Sequence, residues 1–142
     1  MITSRSLVVT LVLAAVGCAP SDSEQVISQA ALPVVRGSQL SPFVKESELP
    51  VLVEFGVDYQ CERCAQMRKG IVEFGEKLEG RAKVVRVDFN ANAAMVAELG
   101  GTICPTYVLF QDGSPVFTES FPISVDMLES RLESVIDDAT ES

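Results

Sequence analysis

Two kinds of hydrophobic pattern alternate from Pro33 onward. "PVLVEFGV", Pro50 to Val57, is a continuous apolar run holding one acid, the signature of a strand buried on both faces. From Cys61 to Leu78 the positions Ala65, Ile71, Val72, Phe74, Gly75 and Leu78 recur near helical spacing, with Gly80 placed to close the helix. "AKVVRVDFN", Ala82 to Asn90, is predicted as the next strand, and Asn92 to Leu99 as a short helix ended by Gly100-Gly101. "TYVLFQDGSPVFTES" reads as strand, Asp112-Gly113 turn, strand. Ser124 is placed to cap a last helix, Val125 to Ile136, with Leu128, Leu132 and Val135 on one face. Upstream, Pro33-Val34-Val35 is predicted as a short edge strand. Ser41-Pro42 is predicted to open a short helix, Ser as N-cap and Pro as its first residue. The order is thus (β)αβαβα, an antiparallel hairpin, then a helix. It predicts an α/β fold with a central mixed sheet and helices on both faces.

Ahead of this region the chain reads MITSRS, LVVTLVLAAV, GC. Arg5 precedes an apolar run from Leu7 to Val16, followed by small residues: secretory signal architecture, well short of the roughly 20 residues of a spanning helix. Ala15-Val16-Gly17-Cys18 resembles the bacterial lipoprotein signal, which would make Cys18 the lipidated first residue of the mature chain. Ala15 departs from the usual Leu of that motif, and the alternative is an ordinary signal peptide with an incidental Cys18. Residues 1–17 are therefore expected to be a lipoprotein-type signal peptide, 18–32 a tether, 33–138 the folded domain and 139–142 a tail. The resemblance implies a place in the cell envelope, on the periplasmic side, anchored to the lipid bilayer by acyl chains. Ala19 rather than Asp after the Cys implies the outer membrane if the cell is Gram-negative.

Composition narrows the chemistry. The 142 residues carry 11 basic and 20 acidic side chains, a formal charge of −9 with no basic run, which disfavours nucleic acid as a partner. With 47% hydrophobic residues a core forms without a disulfide framework. No histidine is present, which removes His-based metal sites, Ser-His and Cys-His triads, and imidazole acid–base catalysis. No cofactor is expected.

What remains is sulfur: Cys18, Cys61, Cys64 and Cys104. Cys61-Glu62-Arg63-Cys64 suits a redox dithiol, half of a metal site or a structural clip. Outside the cytoplasm such a pair is either a fixed staple or a cycled catalyst. A CxxC just after a buried strand, with Cys104-Pro105-Thr106 just before a hairpin, resembles the thioredoxin family over roughly Pro33 to Ile136. The resemblance is carried by "VLVEF", "CERC", "VVRVDFN", "CPTYVLF" with "QDG", and the amphipathic last helix.

The resemblance implies a thioredoxin-like fold and a thiol–disulfide oxidoreductase that reduces disulfides of client proteins. A membrane thiol electron donor or acceptor would restore its starting state. Cys61 would be the nucleophile, its thiolate favoured at a helix N-terminus, and Cys64 the resolving thiol of the same redox-active disulfide. Glu54, an acid costly to bury ionised without a partner, would relay a proton for Cys64. Pro105 would be the cis-proline beside the dithiol, binding extended substrate together with Cys104 and Thr106.

The chain departs from the family pattern in several places. Glu62-Arg63 replaces the usual Gly-Pro, and Cys104 stands where Ile is usual. Tyr59-Gln60 replaces a Trp, Lys69-Gly70 a Pro, and the Gly near Phe121-Pro122 is missing. Arg63 would favour the Cys61 thiolate and Glu62 oppose it. Two other readings stay open: a metal-binding or metallochaperone module using Cys61, Cys64 and Cys104 as a three-thiolate site suited to Cu(I), with Zn(II) needing a fourth ligand such as Asp58, and a redox-inactive adaptor whose cysteines are a permanent staple.

Overall fold

A computed structural model describes residues 31–140, the last two by their backbone. The signal peptide, Cys18 and all but the end of the tether lie outside the described residues. The elements are α1 (Gly37–Lys45), β1 (Val51–Gly56), α2 (Glu62–Lys77), β2 (Lys83–Asp88), a 3-10 turn (Asn90–Asn92), α3 (Ala93–Glu98), β3 (Thr106–Gln111), β4 (Ser114–Ser120) and α4 (Val125–Thr140). The sheet order is β2-β1-β3-β4, with β1 and β2 parallel and the other pairs antiparallel. This is the mixed α/β sheet that the order of patterns predicts.

β1 lies between β2 and β3 and all six of its residues are buried, which is why it reads as an unbroken apolar run. Alternation along it still separates two cores. Leu52 packs with Ile71, Phe74 and Leu78 of the α2 segment, Leu128 and Leu132 of α4, and Tyr107 and Leu109 of β3. Val51, Val53 and Phe55 pack on the opposite face with Leu40 and Val44 of α1 and Val96 of α3. Helices therefore cover both faces, and Glu54 shares a face with Leu52, under α2.

Three boundaries differ from the sequence expectation. α1 starts at Gly37, with Arg36 in the N-cap position, so Pro42 sits inside the helix and Ser41 does not cap it. Burial of Gly37, Leu40 and Val44 sets that helix, while Pro42 is exposed, so its ring faces away from the core. Gly37 backs onto the Asn92 side chain, which occupies the place a Cβ would take. The edge strand at Pro33-Val35 reduces to a bridge from Val34 to Arg86, flanked by Val35 N–H to Arg86 O and Arg86 N–H to Pro33 O, both 2.8 Å. α4 continues to Thr140, beyond Ile136. Leu32 is buried in the α2/α4 core.

Two glycine-bearing features are explained by geometry. The hairpin turns at Asp112 and Gly113 with φ of 52° and 75°, the left-handed pair that matches strand twist in a two-residue loop. Gly70 in α2 faces Val125 at the start of α4, whose side chain would stand 2.6 Å from an added Cβ. A larger residue would push the two helices apart.

Candidate active site

β1 delivers the chain to a loop, Val57 to Gln60, that ends with Gln60 at φ 57° and places Cys61 at the N-cap of α2. Cys61 is extended (φ −135°, ψ 94°) and its sulfur accepts the Cys64 backbone N–H at 3.1 Å. The sulfur thus holds the position a Ser or Asp oxygen takes in an ordinary cap. Unpaired N–H groups and the helix dipole there favour a negative sulfur. Cys61 and Cys64 form a disulfide with their Cα atoms 5.2 Å apart. Cys61 is half-buried and Cys64 fully buried, so a client can reach the first sulfur and not the second.

The side chains between the cysteines point to different neighbours. Glu62 accepts from Gln66 Nε2 at 3.1 Å. Arg63 reaches the β4–α4 loop, where Nη1 donates to Ile123 O at 2.9 Å and the guanidinium lies 4.7 Å from the Phe121 ring centroid. It thereby braces Phe121, a non-glycine residue at φ 53°, whose N–H donates to Pro105 O at 2.8 Å. This link between CxxC and the β4–α4 loop is invisible to local pattern. Tyr59, Ile103, Phe121 and Ile123 form exposed apolar surface on the three loops that meet here.

The Cys104-Pro105 bond is cis. Cys104 is a free, half-buried cysteine whose sulfur lies 3.0 Å from Cys64 Sγ and 3.6 Å from Cys61 Sγ. The three sulfurs all lie within 4.8 Å of one another. Burial pushes the Cys104 thiol above its ordinary value. A hydrogen bond from the Val57 backbone works against this, and the Glu54 and Asp88 carboxylates add to it. Cys104 is therefore a neutral thiol at pH 7. In the oxidised protein its alkylation is expected to follow a pH profile whose midpoint lies above that of free cysteine. Rates with iodoacetamide from pH 7 to 10, read by peptide mass mapping, check this, and a midpoint at or below the free thiol's contradicts it.

Thr106 is fully buried. Its hydroxyl donates to Ile103 O at 2.8 Å and pairs with Ser120 Oγ at 2.7 Å, so it shapes the loop that presents Cys104 and Pro105. Pro105 is buried too, while Thr102 and Ile103 of the same loop are exposed.

Glu54 is fully buried and is not alone. In the sheet register it faces Arg86 on β2 and Tyr107 on β3. Its Oε2 lies 2.7 Å from Arg86 Nη2 and 2.9 Å from Nε, and Tyr107 donates to Oε1 at 3.3 Å. Burial and the Glu54 carboxylate drive the Tyr107 hydroxyl far above its ordinary value, so Tyr107 is a fixed donor. Arg86 also holds Asp58 at 3.0 Å, and Asp58 holds Arg68 at 3.1 Å. A row of alternating charges thus runs from the buried face of β1 to the surface three residues before Cys61. Sequence reasoning missed Arg86 and Arg68, and considered Asp58 as a fourth zinc ligand rather than as a link between two arginines. Arg86 inside "VVRVD" was the available signal, readable only once the β1–β2 register aligns it with Glu54.

A family model described as Thioredoxin matches residues 32–134. Among similar proteins, the thioredoxin of Rickettsia felis is 34% identical over 79 residues, 56% of this chain and 74% of its own. That of Synechocystis sp. is 29% identical over 106 residues, covering 75% of this chain and 98% of its own. The structure of a mutant thioredoxin from Halobacterium salinarum superposes with a TM-score of 0.61 at 27% identity, over 72% of this chain and 88% of that one.

Proposed function

Since the chain belongs to the thioredoxin family and its Cys61–Cys64 pair makes it a thiol–disulfide oxidoreductase, we propose that it reduces disulfides of client proteins in the cell envelope, on the periplasmic side. The observation that carries the reading is the asymmetry of the pair, a reachable sulfur at a helix N-cap joined to a buried one. In the reduced protein the Cys61 thiolate attacks a client disulfide. A Cys61–client bond forms and the other client sulfur leaves as a thiolate. Cys64 then attacks Cys61 Sγ, restores the internal disulfide and releases the second client thiolate, so two electrons pass to the client. A thiol donor in the membrane returns two electrons to Cys61–Cys64. The exposed apolar rim of Tyr59, Ile103 and Ile123 suits an extended, apolar client segment.

Placement in the envelope is supported by the Arg5-to-Cys18 leader, which would leave the domain on an acylated Cys18 tether. Mass analysis of the cellular protein tests the anchor: an unmodified Cys18 in a soluble fraction removes it.

The reductase reading predicts a reduction potential near about −270 mV for Cys61–Cys64, measured by thiol trapping across a dithiothreitol series. A potential of roughly −120 to −180 mV would make the protein an oxidant or isomerase instead. A pair that stays oxidised below about −300 mV would be a staple, and the catalytic reading would fall.

A further inference from the structure

The third sulfur has a definite position, and that position favours one chemistry over another. Cys104 Sγ lies 3.0 Å from Cys64 Sγ and 3.6 Å from Cys61 Sγ. To exchange with the resident disulfide it would have to approach along the extension of the S–S bond, where the antibonding orbital points. There, its two separations would differ by a full S–S bond length, about 2.0 Å. They differ by far less, so Cys104 stands beside the bond and the three sulfurs form a triangle. A triangle of thiolates is poor geometry for in-line displacement and good geometry for chelation.

We propose that the reduced protein binds one Cu(I) ion through Cys61, Cys64 and Cys104, and that closing the Cys61–Cys64 disulfide expels it. Three sulfurs each about 2.3 Å from a single ion stand roughly 4 Å apart. At 3.0 and 3.6 Å the two sides of this triangle that involve Cys104 are shorter than that, and opening the disulfide frees Cys61 and Cys64 to move apart and all three sides to lengthen.

The donor set selects the metal. The chain has no histidine. No carboxylate joins the three sulfurs among the described residues: Glu62, between the cysteines, is exposed and accepts from Gln66, Glu54 is held by Arg86 and Tyr107, and Asp58 by Arg86 and Arg68. With three sulfurs and, among the described residues, no nitrogen or carboxylate ligand grouped with them, the site is soft and three-coordinate. That suits Cu(I), whereas a structural Zn(II) takes four ligands. Two backbone groups are aimed at the sulfurs that would carry charge, the Cys64 N–H at Cys61 and the Val57 backbone at Cys104. Half-buried Cys61 gives the ion a way in, and buried Cys64 and half-buried Cys104 shield it from water.

Loading exchanges the thiol protons of the three cysteines for the cation. In release, a client disulfide accepts two electrons from the Cys61 and Cys64 thiolates and leaves as two thiolates, which take protons from water. The new Cys61–Cys64 bond removes two of the three ligands, and copper leaves as Cu(I), itself neither oxidised nor reduced.

The test uses the full chain, reduced, freed of reductant and kept anaerobic, titrated with Cu(I) against a chromophoric Cu(I) chelator. One Cu(I) per chain is expected, with three sulfur ligands by X-ray absorption. Cys104→Ser and Cys61→Ser should each weaken binding roughly 100-fold or more, beyond the 10–100-fold typical of losing a mere supporting contact. Cys18 is present in every sample, so its contribution cancels in the comparison. Diamide-oxidised protein should take up none. Equal affinity in Cys104→Ser, two-sulfur coordination in the wild type, or undiminished uptake by the oxidised protein would each overturn the proposal. Cu(I) uptake by reduced wild type that fails to reduce a client disulfide upholds the site and counts against the reductase reading alone.

Discussion

Cys64→Ser is expected to stop the catalytic cycle with the client covalently held on Cys61. Cys61 is the reachable sulfur at the N-cap of α2, so it still attacks. The buried thiol that would release the client is gone. Multiple turnover should fall by at least roughly 1000-fold, because a nucleophile and its resolving partner act as a unit. Non-reducing electrophoresis and intact mass should show a one-to-one mixed disulfide that dithiothreitol dissolves. Cys104 is the other thiol within reach among the described residues, 3.6 Å from Cys61 Sγ. Residual turnover in Cys64→Ser should therefore disappear in the Cys64→Ser, Cys104→Ser double variant. Full turnover in the single variant would remove Cys64 from the mechanism.

The second large effect concerns stability. Arg86→Met should cost about 3–5 kcal/mol, because it leaves the Glu54 carboxylate buried without its cation. Glu54 is fully buried and the Arg86 side chain is only 13% exposed, so solvent offers the abandoned charge little relief. The pair is not thereby a large net stabiliser. Replacing both members together with the hydroxyl that donates to Glu54, as Glu54→Leu, Arg86→Met and Tyr107→Phe, should recover most of the loss, since apolar side chains avoid the desolvation penalty that the ion pair offsets and no buried donor is left without its acceptor. Urea unfolding reads both variants: the midpoint should fall sharply in the single one with the slope unchanged, and return most of the way in the triple one. A loss below about 1 kcal/mol in Arg86→Met would show that Glu54 finds another partner or is hydrated in solution.

Much of the fold was legible because each element announces itself locally. β1 is a continuous apolar run because both its faces are covered, and α2 repeats at helical spacing because one face is. The β3–β4 hairpin carries a dipeptide that tolerates left-handed backbone at both positions. The redox pair was legible for the same reason. Cys61 and Cys64 are three residues apart in one helical turn, and the first falls where an N-cap belongs. Pro42 shows where local rules stop. A proline is an obvious helix start, yet burial of Gly37 and Leu40 ahead of it carries α1 back five residues and leaves the proline exposed within it.

The partners of the functional groups were not legible, because they come from elsewhere in the chain. Strand alternation cannot say which face of β1 is which, nor that Glu54 stands between Arg86 and Tyr107, residues 32 and 53 positions away. Only the parallel register with β2 and the antiparallel register with β3 decide that. Likewise Arg63, next to Cys64 in sequence, spends its guanidinium on Phe121 and Ile123 across the molecule. Cys104 sits 40 residues from Cys64 yet 3.0 Å from its sulfur. Local sequence settles which elements form and where the reactive pair lies, since those depend on neighbours within a turn or a strand. Which charges neutralise one another, and how the three sulfurs meet, follows from the assembled fold alone, since those depend on register and packing between segments far apart in the chain.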